Sequence, residues 1–245
     1  ISFLERSNVV SIIAGEFLNI PTLVSVRNNI FKQYSGYNFY INQMIVRLVG
    51  LIYKRSKCLV SLSKSITNQF VSELGFPKEK ICTIYNNYNL NKFSMAQESC
   101  NYFIAAGRFS DQKNFKLMVL AYDDYVKKQI LNNVNVINLK IYGDGETKDY
   151  IISLISQLGL SKYVEVCKSC SDVVNTIAKS KALLLTSKYE GFCNVVAEAQ
   201  LTGVPVISVD CDFGPKEILV NEHNYLKVSN NENVFFNNRG IIVKS

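Results

Sequence analysis

Two glutamates, Glu190 and Glu198, frame the stretch of the chain whose residue types are best suited to chemistry. The apolar run 182–185 ahead of them predicts a buried strand, so Glu190 falls in the loop that follows it. Glu198 then lies about two turns into the next helix, from where it can face the same pocket at a different depth. The amides at the start of that helix offer a seat for phosphate. A phosphate seat between two carboxylates that accept hydrogen bonds from hydroxyls suits a nucleotide-sugar.

A second loop carries two cations, Arg108 and Lys113, within residues 107–114. It follows the predicted strand 102–106, and in so short a loop the two side chains can converge on both phosphates of a diphosphate. There they would neutralise its charge and stabilise it as it leaves. Taken alone, the pattern fits an exposed basic loop as well.

A third loop, Gly143-Asp144-Gly145, predicts a sharp turn from a strand into a helix. It resembles a loop that lets a nucleotide approach the backbone, although a simple turn would look the same.

Metal and redox sites find little support in the sequence. The chain has one histidine, His223, and its single C-x-x-C motif, Cys167 and Cys170, is not followed by a second one. The seven scattered cysteines are typical of small core residues in a reducing compartment.

The excess positive charge of the chain is confined to its first part. Residues 1–92 hold 11 Lys and Arg against four Asp and Glu, whereas residues 93–245 hold 16 of each kind. This asymmetry favours an anionic partner such as lipid head groups, a pyrophosphate-bearing substrate or nucleic acid, with a merely solvated face as the alternative. The length of 245 residues and a hydrophobic content of 48% are typical of a globular α/β protein with a sizeable core.

The sequence leaves the relation of the chain to membranes open. No apolar run reaches the roughly 18 residues of a membrane-spanning helix, and no signal-peptide pattern is present. Residues 38–55 interleave aromatic, aliphatic and basic side chains, which fits a helix at a membrane interface and a buried helix equally well. The chain begins with Ile1 and stops just after an apolar run, so we expect a fragment cut at both ends.

Strands and helices alternate along most of the chain, which predicts parallel sheets with helices on both faces. The pattern dissolves into polar residues over 88–99, and this divides the chain into two α/β domains, 1–92 and 93–245, with a cleft between them. The predicted strands cover 22–26, 58–63, 81–85, 102–106, 136–142, 163–167, 182–186, 205–209 and 241–243. The predicted helices cover 3–17, 38–55, 65–74, 114–131, 148–158 and 171–180, with one through Glu198 and one opened by Pro215.

In combination and in order, these motifs resemble the donor domain of glycosyltransferase family 4. The resemblance covers about residues 101–243 and rests on Gly107-Arg108 with Lys113, Gly143-Asp144-Gly145, Glu190 with Glu198, and Gly203-Val204-Pro205-Val206. It implies the GT-B architecture, in which two Rossmann-like domains with parallel sheets face each other, here both truncated. Residues 1–92 look like the later half of the acceptor-binding domain, and residues 210–219 resemble members that build bacterial polysaccharides and lipid-linked oligosaccharides.

The resemblance also implies roles for individual residues. Arg108 and Lys113 would bind the donor diphosphate and Glu190 would contact the transferred sugar, which makes these three the expected catalytic residues. Glu198 would bind the ribose, and the amides around residues 192–195 would hold the distal phosphate. Neither a metal nor a cofactor is expected. The expected substrate-binding residues are Gly107, Gly143, Gly191, Phe192, Cys193, Asn194, Val195 and Glu198.

The function that follows is a retaining hexosyltransferase. We expect it to move a hexose or N-acetylhexosamine from a UDP-sugar to an anionic lipid-linked or polysaccharide acceptor, as in lipopolysaccharide assembly. With this function we expect a cytoplasmic protein that is peripheral on the inner face of the cytoplasmic membrane. A sugar-nucleotide epimerase or hydrolase and a non-catalytic nucleotide-sugar binding module are the alternatives. Nucleic-acid binding is disfavoured, because no recognisable module is present and the charge is modest.

Overall fold

In a computed structural model the chain forms two compact units. The first unit holds Ile1–Asn87 together with Tyr189–Phe192, and the second holds Tyr88–Lys188 and Cys193–Ser245. Residue 92, Cys170 and His223 lie outside the described residues, so the boundary between residues 92 and 93 stays a prediction. The structure describes residues 1–34, 38–89, 93, 100–169, 172–211, 213–219, 226–227, 234–237 and 239–243.

The first unit is built on a four-stranded parallel sheet with the strands in chain order. Its strands are β1 (Ser2–Phe3), β2 (Leu23–Val26), β3 (Cys58–Ser61) and β4 (Ile81–Thr83). Its helices are α1 (Glu5–Phe17), α2 (Ile30–Gln33), α3 (Phe39–Tyr53) and α4 (Lys64–Leu74), and a 3₁₀ turn, Lys78–Lys80, precedes β4. Strand β1 was not predicted, because two residues are too few to show an alternating pattern.

A side-chain hydrogen bond and a glycine conformation set the two ends of helix α4. The side chain of Ser63 accepts a hydrogen bond from the amide of Ile66 and so caps the start of α4. Gly75 ends the same helix with a φ of 57°, a conformation that costs a glycine little. The apolar faces of these helices meet the sheet in one core, where the rings of Tyr53 and Phe70 stack with centroids 6.1 Å apart.

The described part of the second unit is built on an eight-stranded sheet. Its described strands are β5 (Tyr102–Ala106), β6 (Asn138–Tyr142), β7 (Val164–Cys167), β8 (Ala182–Leu185), β9 (Val206–Val209), β10 (Leu226–Lys227), β11 (Val234–Asn237) and β12 (Gly240–Val243). Its described helices are α5 (Phe115–Leu131), α6 (Lys148–Gln157), α7 (Val173–Ala178), α8 (Asn194–Leu201) and α9 (Pro215–Leu219). Strands β10 and β11 are antiparallel additions at one edge of the otherwise parallel sheet, and they were not predicted. Their surroundings are rich in asparagine, a residue depleted in strands, so no strand pattern was visible.

The order of the parallel strands fixes where this unit can bind a ligand. The order is β7-β6-β5-β8-β9-β12, so the chain leaves the two central strands, β5 and β8, towards opposite edges of the sheet. In open α/β sheets the crevice beyond the carboxyl ends of two such strands is the usual ligand site. Helices α5 and α6 pack on one face of the sheet and α7, α8 and α9 on the other, which confirms the predicted layering.

Candidate functional site

The loop that follows β5 is fixed to the loop that follows β6. The amide of Gly107 donates to the carbonyl of Tyr142 at 2.9 Å, and the amide of Phe109 donates to the carbonyl of Asp144 at 2.8 Å. The ring of Phe109 is fully buried and packs against Phe115 with a centroid distance of 4.7 Å. The start of the predicted diphosphate loop is therefore rigid, because both its backbone and its central side chain are held.

Gly143 and Gly145 are required for that close approach of two backbones. Both have a positive φ, and a Cβ on Gly143 would overlap the carbonyl oxygen of Gly107. A Cβ on Gly145 would overlap the carbonyl oxygen of Phe109 in the same way. Both glycines thus have a packing role in this loop pair, and the predicted contact of Gly143 with substrate stays a prediction.

The two predicted cations are carried by the same loop. The aliphatic stem of Lys113 lies over Gly107, where a Cβ would come within 3.1 Å of its Cε atom. Arg108 is exposed and makes no hydrogen bond or ion pair with any described residue. The structure therefore brings Gly107 and Lys113 together at the end of β5, as the spacing predicts, and leaves the Arg108 guanidinium open to a ligand.

Hydrogen bonds and an ion pair hold the loop after β8 against the loop after β5. The hydroxyl of Thr186 donates to the carbonyls of Lys113 at 3.2 Å and Asn114 at 3.1 Å. The amide of Lys188 donates to the carbonyl of Gln112 at 2.8 Å, and its ammonium group pairs with Asp111 at 2.6 Å. These contacts join the two loops that border the crevice, so the cation-bearing loop is anchored on both sides.

The sequence predicted no role for the side chains of Thr186, Ser187 or Lys188. Ser187 is fully buried, and its hydroxyl has no hydrogen-bond partner among the described residues. A buried hydroxyl without a partner is uncommon and costs free energy. Only its position two residues after the apolar strand β8 could have drawn attention to it.

Helix α8 begins later than the sequence predicts. Cys193 precedes the helix with a φ of 69°. The carbonyl of Cys193 accepts hydrogen bonds from the amides of Val196 at 3.1 Å and Ala197 at 3.4 Å. Glu198 is therefore the fifth residue of the helix, little more than one turn from its start, and the prediction of two turns was wrong. The first helical residue, Asn194, accepts a hydrogen bond from the hydroxyl of Tyr88 at 2.9 Å.

Glu198 is half-buried on α8. Burial raises the pKa of its carboxyl above the usual value, because the charged form is partly removed from water. The side chain therefore takes up its proton at a higher pH than an exposed glutamate does. Val195, the second residue of the helix, is buried, so this end of α8 is partly shielded from solvent.

The third predicted catalytic residue, Glu190, belongs to the first compact unit, whereas Arg108 and Lys113 belong to the second. Glu190 is buried, with only 6% of its surface exposed, and Phe192 packs against Tyr85 with a centroid distance of 5.7 Å. Between them, Gly191 lies so close to the backbone after β2 that a Cβ would overlap the carbonyl oxygen of Arg27.

Comparisons with known proteins agree with this geometry. The profile of the family described as glycosyl transferases group 1 matches residues 89–237. The chain is 24% identical over 243 residues to the N-acetylgalactosamine-N,N'-diacetylbacillosaminyl-diphospho-undecaprenol 4-alpha-N-acetylgalactosaminyltransferase of Campylobacter jejuni, covering 96% of this chain and 64% of that protein. It is also 27% identical over 170 residues to an amylovoran biosynthesis glycosyltransferase of Erwinia amylovora, covering 68% of this chain and 46% of that protein.

A solved structure shows the same fold. The crystal structure of Anabaena HepE in complex with UDP and glucose superposes with a TM-score of 0.72 at 19% identity, covering 90% of this chain and 61% of that one. The predicted GT-B type of α/β fold is confirmed by this likeness. The chain thus spans between 46% and 64% of the length of these three proteins.

Proposed function

The chain belongs to the group 1 glycosyl transferases, and from that premise we propose that the whole protein is a retaining glycosyltransferase. It moves a hexose or N-acetylhexosamine from a UDP-sugar to a lipid-linked or polysaccharide acceptor. One observation carries the proposal: the loops after β5 and β8 are hydrogen-bonded to each other at the crevice between these strands. In the loop after β5, the stem of Lys113 lies over Gly107 and the side chain of Arg108 is exposed. Relatives that act on diphospho-undecaprenol or are bound to UDP support the substrate classes.

In the proposed reaction the protein supplies positive charge where the diphosphate departs. Arg108, Lys113 and the start of α8 hold the diphosphate, while Glu198 binds the ribose and Glu190 the transferred sugar. The bond from the anomeric carbon to the diphosphate oxygen breaks, and the acceptor oxygen bonds to that carbon on the same face. The proton of the acceptor hydroxyl passes to the departing diphosphate. Fixed cations need no reorganisation during this step, which is the main source of their effect. Operation without a metal is part of the proposal.

Ligand-observed NMR on the whole protein tests the donor. Saturation transfer from the protein to a panel of UDP-, GDP- and ADP-sugars is expected to be strongest for a UDP-sugar. UDP release is then expected to require an acceptor. Release at the same rate without an acceptor would instead indicate a hydrolase, and an altered sugar without transfer would indicate an epimerase. Binding without any turnover would indicate a non-catalytic module.

Helix α3 supports the proposed membrane association, because it has two apolar faces. One face is buried against the sheet through Val46, Val49 and Tyr53. The other face is exposed to solvent. None of the described helices is long and apolar enough to cross a bilayer. A helix with an outward apolar stripe and cations beside it can lie in the lipid interface. The exposed stripe comprises Tyr40, Met44, Leu48 and Leu51, with Arg47 on the same face.

Replacing both Leu48 and Leu51 with glutamate is expected to lower partitioning of the whole protein into phosphatidylglycerol vesicles roughly 10-fold, because two inserted side chains are lost and negative charge is added. Vesicle co-sedimentation measures the effect. The double change Leu117→Glu and Leu120→Glu is the matched control, since these leucines have the same spacing and are exposed on α5. Equal losses for both pairs, or none for the α3 pair, would contradict the role of α3.

A further inference from the structure

The first unit contains a cleft of about 470 Å³ at the carboxyl ends of β1 and β2. Carboxyl ends of parallel strands are where α/β sheets place ligands, and the cleft is large enough for a sugar ring. Its lining belongs entirely to the first unit, whereas the loops with the predicted diphosphate-binding cations belong to the second. The polar residues that line it include Glu5, Arg6, Asn8, Arg27, Asn28 and Tyr53.

Buried hydrogen bonds hold the floor of the cleft. Asn8 is fully buried, accepts the hydroxyl of Ser2 at 2.8 Å and donates to the carbonyl of Ser25 at 2.8 Å. It also donates to the hydroxyl oxygen of Tyr53 at 3.2 Å. Tyr53 is itself fully buried, so these hydrogen bonds fix the floor of the cleft in place.

Glu5 supplies an acceptor that the described part of the protein does not use. Its Oε2 atom is buried, yet has no hydrogen-bond partner among the described residues. Burial raises the pKa of this carboxyl, and the neighbouring Arg6 partly offsets the effect. A buried carboxylate oxygen without a partner is costly, so a ligand hydroxyl that donates to it would gain the hydrogen bond and relieve that cost.

We infer that Glu5 recognises a hydroxyl of the acceptor sugar, which binds with its ring in this cleft. The inference rests on the proposed function and assigns the site on which acceptor choice depends. Sugar hydroxyls can donate hydrogen bonds, and so match a carboxylate oxygen that no described residue uses. The exposed guanidiniums of Arg6 and Arg27 add positive charge at the rim, which suits an acceptor that carries an anionic group.

Kinetics of the whole protein with Glu5→Gln and Glu5→Ala test this assignment. The KM for acceptor is expected to rise roughly 10-fold, and the KM for UDP-sugar to stay unchanged, because a buried hydroxyl–carboxylate hydrogen bond is lost on one substrate alone. Glu16→Gln is the matched control. It removes a carboxylate from the same helix, where Glu16 pairs with Arg55 at 2.6 Å, and is expected to leave both KM values as they are.

Binding separates this inference from the proposed function. Saturation transfer to octyl N-acetylglucosaminide, octyl galactoside and octyl glucoside is measured without turnover, and the Glu5 variants are expected to lose it for the glycoside that binds the wild type. A purely structural role for Glu5 in the first turn of α1 would lower the melting temperature without this selective loss. Unchanged acceptor KM and binding, or an equal rise in both KM values, would overturn the assignment. An inactive wild type that loses glycoside binding with Glu5→Gln would count against the transferase alone.

Discussion

Replacing Lys113 with alanine in the whole protein is expected to lower kcat about 100-fold, which corresponds to about 2.7 kcal/mol of barrier. The stem of Lys113 already lies over Gly107, and its backbone carbonyl is held by Thr186, so the ammonium group is placed before the donor arrives. A cation fixed in this way stabilises the diphosphate most when its charge grows, in the transition state. The KM for donor is therefore expected to change less than kcat. Steady-state kinetics of UDP release measure both.

Lys116→Ala is the matched control for this prediction. Lys116 lies three positions further along, is exposed in the first turn of α5, and makes no hydrogen bond or ion pair with any described residue. It has the same formal charge, so a general loss of positive potential near the loop would reduce the activity of both variants. A wild-type kcat for Lys113→Ala, or equal losses for Lys113→Ala and Lys116→Ala, would remove Lys113 from the proposed chemistry.

The sequence predicted the central strands of the second unit closely, because each is a short apolar run bounded by glycine or polar residues. Strand β5 covers the predicted residues 102–106, and β8 differs from its predicted range by one residue. Parallel strands buried on both faces are nearly continuous in hydrophobicity, which makes them easy to recognise. Because strand ends position the loops, the placement of Arg108 and Lys113 in one loop could be predicted as well.

The start of α8 could not be predicted from periodicity alone. Cys193 adopts a left-handed conformation that is uncommon for a residue other than glycine, and it delays the helix to Asn194. The error in the position of Glu198 follows from this single residue. Nothing in the residue type of Cys193 signals the conformation, which depends on contacts made by the loop on either side of it.

The contacts between the loop after β5 and the loop after β8 could not be predicted from the sequence either. Asp111 and Lys188 are 77 positions apart, and each alone resembles an ordinary exposed loop residue. Their pairing depends on β5 and β8 being neighbours in the sheet, which is a property of strand order rather than of local pattern. For the same reason the close approach of Gly143 to the carbonyl of Gly107 could not be predicted, while its contact with a nucleotide stays a prediction.

Glu190→Gln is expected to lower kcat about 100-fold as well, with little change in the free energy of unfolding, because glutamine has nearly the same size and shape. Glu190 is buried, and in the proposed reaction its carboxylate accepts hydrogen bonds from hydroxyls of the transferred sugar. Glutamine replaces one accepting oxygen with a donating NH₂ group and removes the charge. A sugar hydroxyl aimed at that atom then faces another donor in a dry site, where the mismatch is costly.

The matched control is Glu165→Gln. Its side chain is 63% exposed, pairs with Lys140 at 3.1 Å, and is expected to leave kcat at the wild-type value. Saturation transfer adds a readout that a structural role would not move, because Glu190→Gln is expected to weaken contact with the sugar protons of a UDP-sugar while leaving contact with the uridine protons. A kcat within a few-fold of wild type, or an equal loss of sugar and uridine contacts, would show that Glu190 does not hold the transferred sugar. An almost unchanged kcat would leave Lys113 and Arg108 as the remaining proposed catalytic residues. Their positions on the loop after β5 do not depend on Glu190.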